Sequence, residues 1–101
     1  MKEYTIQPSN GGPAYTFTAE LLANVTSKRH NSYIWTEIDL YLTEGGRKIA
    51  VESSISTFED RQDRIKVMVF EDDEEMFRKL GYTKLARRIY RKIGLDEIKV
   101  I

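Results

Sequence analysis

Arg64-Ile65-Lys66-Val67-Met68-Val69-Phe70-Glu71-Asp72-Asp73-Glu74-Glu75-Met76-Phe77-Arg78-Lys79-Leu80-Gly81 contains the change of rhythm that decides the fold. Up to Phe70 apolar side chains recur every second residue, the period of a pleated strand. From Glu71 they recur at steps of three and four, the period of a helix. Both faces of the 64–70 run are apolar, the pattern of a strand covered on two sides, and it is therefore expected in the interior of a sheet under a helix. Acidic residues at 71–75 complement the positive end of a helix dipole, Met76, Phe77 and Leu80 form an apolar side, and Gly81 supplies a stop. Thr83 is an N-cap for a second helix over Lys84 to Ile93, with Leu85, Ala86, Ile89, Tyr90 and Ile93 on one face and Gly94 as its terminator.

Upstream the beat of two prevails. Lys2 to Gln7 reads as a short strand, and Pro8-Ser9-Asn10-Gly11-Gly12-Pro13 as a loop, since two prolines and two glycines continue no regular element. Tyr15, Phe17, Ala19, Leu21, Ala23 and Val25 alternate with a mostly polar set, which predicts one long strand with a single buried face. After the polar turn Ser27–Ser32, the strand Tyr33 to Thr43 places Ile34, Ile38, Leu40 and Leu42 on one side. Tyr33, Trp35, Glu37, Asp39 and Tyr41 stand on the other. Glu44-Gly45-Gly46-Arg47 is a hairpin turn, and Lys48 to Ile55 returns. Ser56 to Asp63 is charged and is expected to loop outward. Asp96 to Ile101 reads as a last edge strand or a packed tail. The sum is one α+β domain over residues 1–101: a largely antiparallel, twisted meander of five to six strands with two C-terminal helices packed on one face.

Composition narrows the function. The chain has 101 residues, the size of a single domain, with 41% hydrophobic and 11% aromatic residues, enough for one core. Sixteen basic and sixteen acidic side chains cancel, so no global field selects nucleic acid or an anionic membrane. There is no cysteine, which excludes disulfides, thiol nucleophiles and thiolate zinc sites. No apolar run approaches the roughly 20 residues that cross a bilayer, and residues 1–6 lack the features of a signal peptide. A cytoplasmic protein with no membrane partner is expected.

Five groups of residues bear on chemistry. His30, the single histidine, lies between Arg29 and Asn31 in a polar turn, where a solvated surface residue is the ordinary reading. General-base work would need further converging groups. Glu37 and Asp39 share a strand face, and Glu20 or Glu52 could join them in a suitable register as oxygen ligands for a divalent cation. The ordinary reading is a polar outer face paired with Arg47 or Lys48. Glu97-Ile98-Lys99 matches a nuclease triplet by chance. Lys84, Arg87, Arg88 and Arg91, three or four apart, form a positive ridge on the second helix that could meet phosphates. Neutralisation by the acidic residues 71–75 is the competing expectation. Finally, Tyr33, Trp35, Glu37, Asp39 and Tyr41 make an aromatic and acidic stripe suited to a protein partner, unless Trp35 is buried.

The stretches Thr36–Ile49, Glu71–Glu75, Leu80-Gly81 and Leu85-Ala86-Arg87-Arg88-Ile89-Tyr90, ending near Gly94-Leu95, resemble small uncharacterised α+β domains of bacteria, phages and plasmids. The resemblance spans roughly residues 15–101. It implies the fold and a mobile-element origin, and it assigns no activity or site. The expectation is a non-enzymatic protein-binding module, an inhibitor or accessory factor that occupies a partner surface through Tyr33, Trp35, Glu37, Asp39 and Tyr41. The alternative is nucleic-acid binding through Lys84, Arg87, Arg88 and Arg91, and a metal-dependent hydrolase is a distant third. No catalytic residue, resident metal or cofactor is expected. A monomer or a homodimer fits equally, because a terminal edge strand can pair with a second copy.

Overall fold

Alternating sequence becomes a five-stranded antiparallel sheet with strands in the order β1 to β5, each beside its neighbours in sequence. The structure, a computed structural model, describes residues 1–58 and 63–95. The strands are β1 Lys2–Ile6, β2 Tyr15–Thr26, β3 Ile34–Thr43, β4 Lys48–Ser56 and β5 Arg64–Phe70, followed by helices α1 Asp73–Leu80 and α2 Lys84–Lys92. The β3–β4 turn follows from its glycines: Gly46 adopts φ +89°, and Thr43 accepts from Gly46 N–H and Arg47 N–H through its carbonyl and hydroxyl oxygens. Each helix begins on a side-chain cap. Asp72 Oδ1 accepts from Glu75 N–H at 2.8 Å and Thr83 Oγ1 from Ala86 N–H at 3.2 Å. The expected strand at 96–101 lies outside the described residues.

The helices cover one face of the sheet. Val25, Ile38, Leu40, Ala50, Met68 and Phe70 meet Met76, Leu80, Ala86, Ile89 and Tyr90 there in one buried cluster. The other face closes on itself. Tyr4, Ile6 and Phe17 from the first hairpin share a second cluster with Tyr41, Ile49, Val51, Ile65, Val67 and Val69. Strands β1 and β3 are separated by β2, yet the Tyr4 and Tyr41 rings stand 4.6 Å apart. That distance requires a sheet curled around this face. At the seam, Ser9 N–H donates to Ile65 O at 3.0 Å and Ser9 Oγ accepts from Ile65 N–H at 2.6 Å.

Two expectations about strands are corrected. Strand β5 is the last of the described sheet, not an interior strand. Both its faces are apolar because α1 covers one and the curl encloses the other. Strand β2 does not keep a single buried face. Its register slips between Leu21, opposite Tyr41, and Ala23, opposite Leu40. Leu22 is the extra residue of a β-bulge. Phe17 and Ala19 therefore pack inside the curl, whereas Ala23 and Val25 pack under the helices.

Candidate functional site

Strand β3 presents its odd residues to the curled face, and the curl sorts them by depth. Tyr41, near the closed end, is 6% exposed. It packs against Tyr4 and Phe17, with ring centroids 4.6 and 5.3 Å away. Burial pushes its phenol pKa up, and the charge of Asp39 and the neighbouring Tyr4 add to the rise. The expectation that Tyr41 belongs to an outward stripe is corrected: the bulge and curl bring the first hairpin over it. Asp39 and Glu37 are half-buried. Asp39 Oδ1 accepts from Asn24 Nδ2 at 2.5 Å, and Glu37 Oε1 accepts from the Trp35 indole N–H at 3.2 Å. Trp35 is itself half-buried, with Lys28 Nζ 4.5 Å from its ring centroid.

At the open end Tyr33 is 65% exposed and stacks on Phe58, which is 45% exposed, with centroids 5.8 Å apart and planes at 23°. The pair is fixed by backbone: Tyr33 O accepts from Thr57 N–H at 2.9 Å and from Thr57 Oγ1 at 3.3 Å. Ile34, on the sheet's other side at the same end, is also exposed. The structure thus keeps Tyr33, Trp35, Glu37 and Asp39 in one row and adds Phe58, which sequence reasoning left inside a charged loop.

The carboxylates do not gather. Glu20 lies opposite Leu42 and Glu52 opposite Ile38, which puts both on the helix side of the sheet, away from Glu37 and Asp39. Among the described residues no three metal-ligating side chains converge. Arg47 and Lys48 do not reach the β3 acids either. They pair with Glu71 at 3.2 Å and Asp73 at 2.6 Å, and Lys79 pairs with Glu75 at 2.7 Å. The expected neutralisation of the basic run Arg78, Lys79, Lys84, Arg87, Arg88, Arg91 and Lys92 by residues 71–75 holds at Lys79, which Glu75 pairs, whereas Glu71 and Asp73 pair with Arg47 and Lys48 instead. Glu97-Ile98-Lys99 lies outside the described residues. His30 stands exposed in the β2–β3 turn.

Lys84, Arg87, Arg88 and Arg91 are all exposed on α2, as their spacing requires. Arg88 Nη1 donates to Thr26 O at 2.9 Å, and Lys92 Nζ donates to Asn24 O at 2.7 Å. Strand β1 pairs only with residues 15–19 of β2, so these carbonyls lie on an uncovered stretch of strand edge that α2 caps. A broad groove lies where the 8–13 loop meets β5. Its lining opposes Glu52 and Asp63 to Arg64 and Lys66 and so carries no single-sign field.

No protein family matches this chain, and neither does any curated protein or solved structure. Its chemistry rests on its own geometry. Among the described residues no helix is long and apolar enough to cross a membrane.

Proposed function

We propose that this protein is a non-enzymatic binding module that acts by occupying a protein partner's surface, as an inhibitor or accessory factor. The observation that supports this is the Tyr33–Phe58 pair, two exposed rings stacked at one end of the sheet and tethered through Thr57. Aromatic side chains held rigid at a surface bury large apolar area at small entropic cost, which is why they dominate interface hot spots. Trp35 and Glu37 continue the row inward and supply an indole flank with an acidic rim. The fitting partner carries an apolar pocket for the two rings and a basic group at its margin for Glu37.

Affinity capture from the native host, with quantitative mass spectrometry, tests it. A stoichiometric partner retained by the unaltered protein and lost with Tyr33→Ala, at an unchanged melting temperature, is the expected result. Retention of every captured protein by Tyr33→Ala and Phe58→Ala, both folded, overturns the reading.

A further inference from the structure

The loop between β1 and β2 carries an asparagine followed by glycine, Asn10-Gly11, beside the seam that closes the curl. An asparagine carboxamide is open to attack by the backbone nitrogen of the next residue when that nitrogen is neither crowded nor hydrogen-bonded. Glycine has no Cβ to crowd the approach. Gly11 stands exposed at φ +81°, and no atom lies within 4 Å of the position a Cβ would take. Among the described residues nothing accepts from Gly11 N–H. The carboxamide of Asn10, also exposed, is already oriented. Its Oδ1 accepts from Gly12 N–H at 2.8 Å. That bond polarises the Cγ carbonyl and holds a donor where negative charge develops in a tetrahedral intermediate. A backbone N–H meets only the oxygen, so Nδ2, the leaving group, is turned away from it. Among the described residues Nδ2 donates to no acceptor.

The chain has two other asparagines, and the fold shields both. Asn24 Nδ2 donates to Asp39 Oδ1 at 2.5 Å, and the next residue is the buried, β-branched Val25, paired with Ile38 in the β2–β3 ladder. After Asn31, the attacking nitrogen is occupied, since Ser32 N–H donates to Arg29 O at 3.0 Å.

We propose that Asn10 is a spontaneous modification site, where the folded protein converts asparagine to aspartate and isoaspartate and so loosens its own seam. Gly11 N loses its proton to hydroxide or a buffer base and attacks Asn10 Cγ, forming an N–Cγ bond. The Cγ–Nδ2 bond then breaks, and Nδ2 takes a proton from solvent and leaves as ammonia. Water opens the cyclic imide at either carbonyl. One opening gives aspartate, the other isoaspartate, with the main chain rerouted through Cβ. Water is the only co-reactant consumed, and nothing is oxidised or reduced. Position 10 lies between two anchors. On one side Ser9 N–H donates to Ile65 O at 3.0 Å and Ser9 Oγ accepts from Ile65 N–H at 2.6 Å. On the other, Gln7 Nε2 donates to Gly12 O at 2.7 Å. Isoaspartate inserts one main-chain bond of about 1.5 Å between them, so the span no longer matches both. Either product also adds a negative charge to the groove that holds Glu52 and Asp63. Tyr33 and Phe58 take no part, and the inference stands apart from the proposed protein contact.

Ageing the full chain in warm, mildly alkaline buffer tests it. Peptide mapping by mass spectrometry reads the exchange of amide for acid and separates isoaspartate from aspartate. Asn10 converts at least about ten-fold faster than Asn24 or Asn31, the ratio set by one hydrogen bond on the attacking nitrogen. Gly11→Ala, with a methyl group beside that nitrogen, slows conversion at least about ten-fold. In the isoaspartate fraction, amide deuterium exchange at Ile65 quickens about five-fold, the effect of one lost hydrogen bond, while Leu40 and Val51 keep their protection. Asn10→Ser, whose hydroxyl can take the Gly12 N–H, keeps the Ile65 amide at its original rate after the same ageing. Any of four results overturns the inference: conversion at Asn10 no faster than at Asn24 or Asn31, a folded Gly11→Ala variant that converts like the parent, unchanged Ile65 exchange in the isoaspartate fraction, or equal loosening in aged Asn10→Ser.

Discussion

Tyr90 donates its hydroxyl proton to Gly81 O at 2.5 Å, from a position only 2% exposed at the junction of the two helices. Burial and the adjacent Tyr82 push its pKa up to about 12 from the ordinary 10.0. The folded state therefore keeps a proton that the unfolded state releases near pH 10. Between those two values the unfolded chain binds fewer protons, so stability is complete below about pH 10 and declines as pH climbs towards 12. Tyr90→Phe is expected to cost about 1 kcal/mol in urea unfolding at neutral pH and to flatten the alkaline decline. An unchanged slope between pH 10 and 12 would place the titration elsewhere. At this scale the sequence was only partly legible. The helical spacing of Leu85, Ala86, Ile89 and Tyr90 reveals a buried face. That Trp35 donates to Glu37 and lies under Lys28 depends on side-chain rotamers and on the path of the 27–33 turn, and periodicity carries neither.

At the scale of elements, one cap was legible and the bulge was not. Thr83 precedes an apolar helical run and its side chain accepts the expected amide, whereas Asp72 caps α1 from inside an acidic run in which the dipole argument favours every member equally. Asp72→Ala should lower stability by about 1 kcal/mol and Asp72→Asn should restore most of it, measured by chemical denaturation. In β2 the alternation from Tyr15 to Val25 looks unbroken, since apolar residues at odd positions satisfy either face equally well. The one trace of the break is Leu22, an apolar residue in the otherwise polar even set, and it packs against the helix-side core. The bulge makes two outwardly similar positions unequal: Leu21 is 50% exposed and Val25 only 1%. Leu21→Lys is accordingly expected to shift stability by less than about 0.5 kcal/mol. Val25→Lys, which buries an unpaired charge, should abolish the cooperative unfolding transition. Equal effects at both positions in thermal melts would contradict the register slip.

For the whole molecule, the meander and its two terminal helices followed from the order of hydrophobic periods. The curl did not, because a flat and a rolled meander share one alternation pattern. What distinguishes them is a long-range hydrogen bond. Ser9 Oγ accepts from Ile65 N–H and donates to Asp63 O at 3.3 Å, which ties the first loop to the last strand. Ser9→Ala should cost about 1 kcal/mol and speed deuterium exchange at the Ile65 amide, while Val51 and Leu40 amides keep their protection. The same rolling explains why the odd face of β3 divides into a sealed end at Tyr41 and an accessible end at Tyr33.

The order of strands in this sheet bears on how the protein is made. Every strand after the first pairs with the one translated just before it, so a nascent chain leaving the ribosome meets a waiting template at each hairpin. Such pairing closes short loops, and short loops cost little entropy and form fast. Two steps must wait: the seam through Ser9 needs β5, and the helix-side core needs α2. Until then one side of the growing sheet lacks its helical cover, for the seconds that separate synthesis of β5 from that of α2.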